Sequence, residues 1–199
     1  MAHIDYFFAT VSPFTYIAGT RLEEIAAKHG ATITYKPLDV IALFGRTGGV
    51  PPKDRHPARQ AYRLQELRRQ AAKNGMPINL KPAFWPTNPA PSSYALIAAQ
   101  KTGAGDMGKL VAAITRRCWA EDKNIAEDDV IREALVEVGF DEGLAGGMMI
   151  AEADEYAANL EEAVNRNAFG APFYIVDDTE HFWGQDRLED LDLHLSGKL

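Results

Sequence analysis

The sequence predicts an α/β fold in which strands at the two ends of the chain enclose a long, all-helical insertion. Three observations carry this. The chain begins strand–helix–strand, with a short aromatic run, a stretch of helical spacing and a β-branched run over residues 3–37. Residues 39–159 then carry helical patterns only, and the last forty residues return to strand character before a final helix. The domain organisation expected is therefore a discontinuous α/β domain, 1–38 plus 160–199, with a helical domain at 39–159 set into it.

Bulk properties agree with one sizeable core plus a lobe. The 199 residues are 46% hydrophobic and 25% charged, an ordinary globular balance. A net charge of −7 argues against a general nucleic-acid or anionic-membrane surface. No apolar run approaches the ~20 residues that span a bilayer, and the start lacks the basic and long apolar regions of a secretion signal. Cys118 is the one cysteine, which excludes an internal disulfide, a C-x-x-C redox centre and a cysteine-rich zinc site. The expectation is a cytoplasmic protein with no metal, no nucleic-acid partner and no membrane attachment.

The first strand is His3–Phe8, apolar and aromatic with Asp5 as its one charge. Ser12-Pro13 follows, an N-cap residue and then proline at the first helical position. Tyr16, Ile17, Leu22, Ile25 and Ala26 repeat at three to four residues, predicting one helix that ends at Lys28-His29-Gly30. Residues 31–37 alternate and are β-branched, so they form a second strand, parallel to the first across the helical crossover. Ile41–Phe44 is a short helical turn leading to a loop, Gly45–Pro52.

Pro57 to about Asn74 is helical and basic, with Arg55, Arg59, Arg63, Arg68, Arg69 and Lys73. A solvated face is the plain reading, with Arg59 the residue best placed to reach an anionic ligand. Leu80–Pro91 holds Phe84 and Trp85 among prolines, an aromatic loop that either walls a pocket or covers the core. Helices are predicted over 92–102, 106–120 and 127–138, and one or two more over 141–167. Cys118 lies in an apolar pattern and is expected to be a buried, inert thiol. Phe169-Gly170-Ala171-Pro172 is a turn running into a strand, Phe173–Val176; His181-Phe182-Trp183 is its hairpin partner, and Gly184–Leu188 opens the final helix. No P-loop or G-x-G-x-x-G pattern is present.

Ser12 stands at the positive end of a helix, where it either only caps or also stabilises an anion. Two motifs separate these readings: Ser12-Pro13-Phe14-Thr15-Tyr16 after the first strand, and Phe169-Gly170-Ala171-Pro172 with Phe182-Trp183-Gly184-Gln185-Asp186-Arg187-Leu188 near the end. The layout resembles a thioredoxin-like fold with an inserted all-helical domain, as in the DsbA group. Serine and threonine stand where that group carries C-x-x-C, so dithiol exchange is chemically impossible at this site. The serine version is similar to the 2-hydroxychromene-2-carboxylate isomerase family, relatives of the kappa-class glutathione transferases.

That resemblance implies glutathione as cofactor, a small aromatic substrate and a homodimeric habit. It makes Ser12 the catalytic residue, hydrogen-bonding the glutathione sulfur, with Ser12, Pro13, Phe14, Ala171, Pro172, Gln185 and Asp186 binding the cofactor. Pro172 matches the proline that follows a cis peptide bond in this fold, which turns the Ala171 backbone toward the cysteinyl part of the ligand. A trans proline opening an edge strand, and a purely capping Asp186, are the plain alternatives. Trp183 is expected to pack in the core or a pocket wall, and Arg59 and Trp85 to face the substrate, with Arg55 second to Arg59. One departure stands out: Gly49 occupies the position, two residues before Pro51, where the family often has asparagine. The activity implied is glutathione-dependent cis–trans isomerisation of an aromatic keto-acid. A kappa-like transferase and a non-catalytic glutathione or aromatic-ligand binder are the competing readings.

Overall fold

The computed structural model describes residues 1–146 and 149–199. Its centre is a four-stranded sheet in the order β2-β1-β3-β4, with β1 at His3–Phe8, β2 at Thr32–Pro37, β3 at Phe173–Val176 and β4 at Glu180–Trp183. β1 and β2 are parallel, with Tyr6 opposite Tyr35. β3 runs antiparallel to β1 with Tyr6 opposite Tyr174, and β4 antiparallel to β3. The strands therefore come from the two chain ends, as their β-branched and aromatic runs predict.

Between β1 and β2 lie two helices, α1 (Pro13–Ala18) and α2 (Arg21–His29), where the spacing alone predicts one. Gly19 breaks them apart at φ 59°, ψ −135°, a conformation that ends the helical hydrogen-bond ladder. The apolar period continues through the break, which is why periodicity does not reveal it. The insertion holds α3 (Val40–Thr47), α4 (Pro57–Lys73), α5 (Ala90–Lys101), α6 (Met107–Trp119), α7 (Asp128–Glu137) and α8 (Ile150–Asn165). α3 is longer than the turn expected, and Asp39 caps it by accepting from the Ile41 and Ala42 amides. α8 runs unbroken across residues 159 and 160, where the domain boundary is expected. Gly147 and Met148, within the stretch read as helical over 141–167, lie outside the described residues. A 3₁₀ turn at Gln185–Arg187 leads into α9 (Leu188–Leu195).

The sheet buries both faces. Ile4, Tyr6 and Phe8 of β1 point to one side, where Tyr35, Tyr174 and side chains from α1, α2, α5, α6, α7 and α9 complete the larger core. Phe7, Phe173 and Ile175 point to the other, against Leu38, Leu43, Ala163 and Ala168. Burial of both faces explains why β1 and β3 read as near-continuous apolar runs. The exception is Asp5, buried on the second face and paired with Arg166 at 2.6 Å and Lys36 at 3.4 Å. Cys118 is buried. No helix among the described residues is long and apolar enough to cross a membrane.

Candidate functional site

The site is assembled on the β1–α1 connection. Ser12 takes extended backbone angles, and its Oγ accepts from Thr15 N at 3.3 Å, capping α1 as its sequence context predicts. Its hydroxyl proton has one acceptor, the Ala171 carbonyl at 3.5 Å, at the limit of a hydrogen bond. Ser12 is 8% exposed. Phe14, at the second helical position and half-buried, has no acceptor for its amide among the described residues. The mouth of α1 thus offers a weakly used O–H and a free N–H. Because α1 has only six residues, its dipole is short, and these two donors carry most of what the site can offer an anion.

The connection is clamped from the insertion side. Trp85 Nε1 donates to the Val11 carbonyl at 3.0 Å, one residue before Ser12. The Ser92 hydroxyl donates to Thr10 Oγ1 at 2.9 Å, and the Tyr16 hydroxyl donates to the Pro77 carbonyl. The aromatic loop therefore braces the connection that bears Ser12 while Trp85 packs against the larger core, the second of its two expected roles. Trp85 itself packs at a tilt against Trp119, ring centroids 5.5 Å apart.

The last forty residues supply the opposite side. The Ala171–Pro172 and Trp85–Pro86 peptide bonds are both cis. The 3₁₀ turn packs against α1. Gln185 is 3% exposed, and its side-chain oxygen and backbone carbonyl both accept from Arg21 Nη2, at 3.2 and 3.1 Å. Arg21 also bonds the Ile17 carbonyl at 3.2 Å, so it ties the turn to the end of α1. Sequence reasoning passes over Arg21, whose position just after the Gly19 break carries no motif. Asp186 is exposed and pairs with Arg187 at 3.2 Å.

Trp183 meets the second of its two expected placements, a wall and not the core. It is 54% exposed and lines a surface hollow instead of packing in the core, because β4 is an edge strand whose alternate residue, Phe182, points inward. Its indole covers Gly170, where any Cβ would come within 2.3 Å of Nε1. It therefore flanks the turn before Ala171.

The basic helix also sorts differently. Arg59 is exposed and its side chain has no hydrogen-bond or ion-pair partner among the described residues. Arg63 instead lies over the Trp85 ring, 5.4 Å from its centroid. Arg63 precedes the fully buried Leu67 by four residues, and that spacing is the signal that could have found it. At Gly49 a Cβ would strike the Phe44 ring at 2.5 Å, so this ring occupies the space that any side chain at position 49 would need. Arg55 covers that ring at 5.7 Å and donates to the Val50 carbonyl at 2.7 Å.

Burial pushes the Cys118 thiol up to about 12, helped by the Asp122 charge, so the protein has no nucleophilic sulfur of its own. Two shallow hollows of about 450 and 590 Å³, beside Arg116 and beside Trp183, touch neither Ser12 nor Ala171. Among the described residues no cluster of His, Cys, Asp and Glu could hold a metal ion.

The family model of the DSBA-like thioredoxin domain matches residues 3–196. A 2-hydroxychromene-2-carboxylate isomerase of Sphingobium xenophagum is 29% identical over 195 residues, covering 96% of this chain and 97% of its own. Glutathione S-transferase kappa 1 of Caenorhabditis elegans is 28% identical, with 94% and 88% covered. Among solved structures, a 2-hydroxychromene-2-carboxylate isomerase superposes with a TM-score of 0.77 at 24% identity, covering 98% of this chain and 95% of the other.

Proposed function

The chain belongs to the DSBA-like thioredoxin domain family, and within it we propose a glutathione-dependent cis–trans isomerase of 2-hydroxychromene-2-carboxylate or a similar aromatic keto-acid. Full-length similarity to isomerases of that name supports the reaction class. The observation that carries the reading is the Ser12 hydroxyl, whose proton is held, among the described residues, only by the Ala171 carbonyl at 3.5 Å. A sulfur entering beside it gains a charge-assisted hydrogen bond at the loss of a weak one. The fit to glutathione rests on this donor, on the unused Phe14 amide, and on the buried, high-pKa Cys118, which leaves the thiol to be supplied from outside.

The chemistry that bound glutathione supplies is reversible thiolate addition to the substrate's electrophilic carbon, which turns a double bond into a single one and lets it rotate. This chain's residues hold the partners in place for that exchange. Ser12 and the Phe14 amide lower the free energy of the anionic sulfur, with Pro13 fixing the start of the helix that carries them. The Ala171 backbone, next to Pro172, pairs with the cysteinyl unit, and Gln185 and Asp186 hold the γ-glutamyl end. Trp85 and Arg59 face the aromatic acid.

Product mass tests the reading. Incubation with 2-hydroxychromene-2-carboxylate and glutathione is expected to give a product of unchanged mass. A product heavier by one glutathione would assign the chain instead to stable conjugation, the reading that its similarity to the kappa transferase favours.

A further inference from the structure

Arg21 makes hydrogen bonds that its place in the chain does not call for. It opens α2, and the first turn of a helix is the end where a cation is disfavoured. The side chain turns back instead. Nε donates to the Ala18 carbonyl and Nη2 to the Ile17 carbonyl, each at 3.2 Å, so the charge closes the last turn of α1, where a cation is favoured. The same Nη2 donates to the Gln185 carbonyl at 3.1 Å and to Gln185 Oε1 at 3.2 Å. All four acceptors are neutral oxygens, and Arg21 forms no ion pair among the described residues.

These bonds decide which way the Gln185 side chain faces. Gln185 is buried, so its amide cannot turn over freely. A guanidinium has donors only, and the amide atom that meets it must therefore be the oxygen. The N–H2 end is turned away from Arg21, and among the described residues it donates to no acceptor. Exchanging the two ends would set donor against donor in a buried place and lose a hydrogen bond on each side. The turn that carries Gln185 packs against α1, the helix that Ser12 caps. One guanidinium thus sets both the far end of that helix and the donor end of Gln185.

We propose that Arg21 is a positioning residue: it touches no ligand itself but fixes Gln185 with its amide N–H2 toward the ligand, so that the turn contributes a hydrogen-bond donor. The proposal deepens the isomerase reading and rests on it for the ligand, glutathione, whose γ-glutamyl unit that reading places at this turn. A residue that only closed α1 would have a different signature. Its loss would weaken the fold and the binding of every ligand alike, whereas loss of a positioning residue weakens only a ligand with a group for Gln185 to hold.

Calorimetric titration of the full chain with glutathione and with cysteinylglycine, which lacks the γ-glutamyl unit, measures that difference without turnover. The wild type should bind glutathione about 10- to 100-fold more tightly. Arg21→Gln should lose most of that preference with cysteinylglycine affinity unchanged. Arg21→Lys, which keeps the charge but not the planar fork, should lose part of it. Gln185→Leu should lose it as well, and adding Arg21→Gln to that variant should cost nothing further. The wild type also gives a direct readout, independent of whether the Arg21 variants fold. Its Gln185 side-chain amide resonance, identified by its absence from Gln185→Leu, should shift with glutathione and not with cysteinylglycine. An amide that does not move, an Arg21→Gln protein that keeps the full preference, or one that loses affinity for both thiols equally overturns the proposal and leaves the isomerase reading standing. So does a wild type that binds the two thiols equally. A wild type that binds neither overturns both.

Discussion

Ser12 holds two jobs with one oxygen. It accepts from Thr15 N to cap α1 and gives its proton to the Ala171 carbonyl at 3.5 Å, a weak bond that a ligand can replace. Ser12→Ala should therefore separate a small stability loss from a larger functional one. The capping bond is long, so the loss in unfolding free energy should sit near the low end of the usual range, about 0.5–1 kcal/mol. Turnover should fall by about 100-fold, the effect of removing one preorganised donor from a developing anion. On the proposed reading glutathione is also held by Ala171, Gln185 and Asp186, so its affinity should change little. Chemical denaturation, steady-state kinetics and calorimetry on the one variant check all three expectations.

Glu23 makes a pH-dependent prediction at the same scale. Its Oε1 accepts from the Tyr35 hydroxyl at 2.8 Å, while Oε2 is buried with no partner among the described residues. Burial raises its pKa above the ordinary glutamate value, against the opposing hydrogen bonds from its own backbone and Tyr35. A raised folded-state pKa means that the folded chain holds the proton more tightly than the unfolded one. The stability from this group is complete below the unfolded pKa and is lost as pH rises through the folded value. Glu23→Gln should therefore melt at higher temperature than the wild type at pH 8, with the gap closing near pH 4. Asp5 has the opposite sign. Burial raises its pKa, but Arg166, Lys36 and His3 outweigh that and hold it low. Its contribution is present above the ordinary aspartate range and lost as pH falls through the folded value.

Among the elements, the aromatic loop and the break after α1 do most to shape the site. Trp85→Phe keeps the ring surface but deletes the hydrogen bond to the Val11 carbonyl. It should cost about 1 kcal/mol of stability and lower turnover more than ligand affinity, because the Ser12 connection loses a clamp. Gly19 sits at φ 59°, ψ −135°, where a Cβ is strained whatever the surrounding space. Gly19→Ala should destabilise the fold by about 1–3 kcal/mol, read by urea denaturation. The elements themselves were largely legible. β1, β2, the start of α1, α4, α6 with its Asp106 cap, and the β3–β4 hairpin follow from local pattern and capping chemistry. The Gly19 break was not, because Tyr16, Ile17, Leu22 and Ile25 keep helical spacing through it. For Trp183 the sequence left core and wall open, because an aromatic at the end of a short strand declares neither its face nor that its strand is an edge.

At the scale of the whole molecule, the two chain ends meet in one sheet, and that meeting brings Ser12 to Ala171 across 159 residues of sequence. Two motifs that are individually modest acquire meaning only through this pairing, which is why their combination was readable. The basic helix was harder to read. Which of Arg55, Arg59 and Arg63 meets the aromatic loop depends on how α4 packs against a segment without regular structure, and basic spacing alone favours none of them. The replacement of an asparagine by Gly49 was visible as a departure, but only packing reveals the Phe44 ring beside it.

The central claim is that a ligand-borne sulfur, held by Ser12, does the chemistry that the chain's own buried thiol cannot. Its most direct test is the initial rate of 2-hydroxychromene-2-carboxylate isomerisation with glutathione, with S-methylglutathione, and with neither. A rate that requires glutathione, is not restored by the S-methyl form, and falls in Ser12→Ala is the predicted result. An undiminished rate in the absence of any thiol would contradict it.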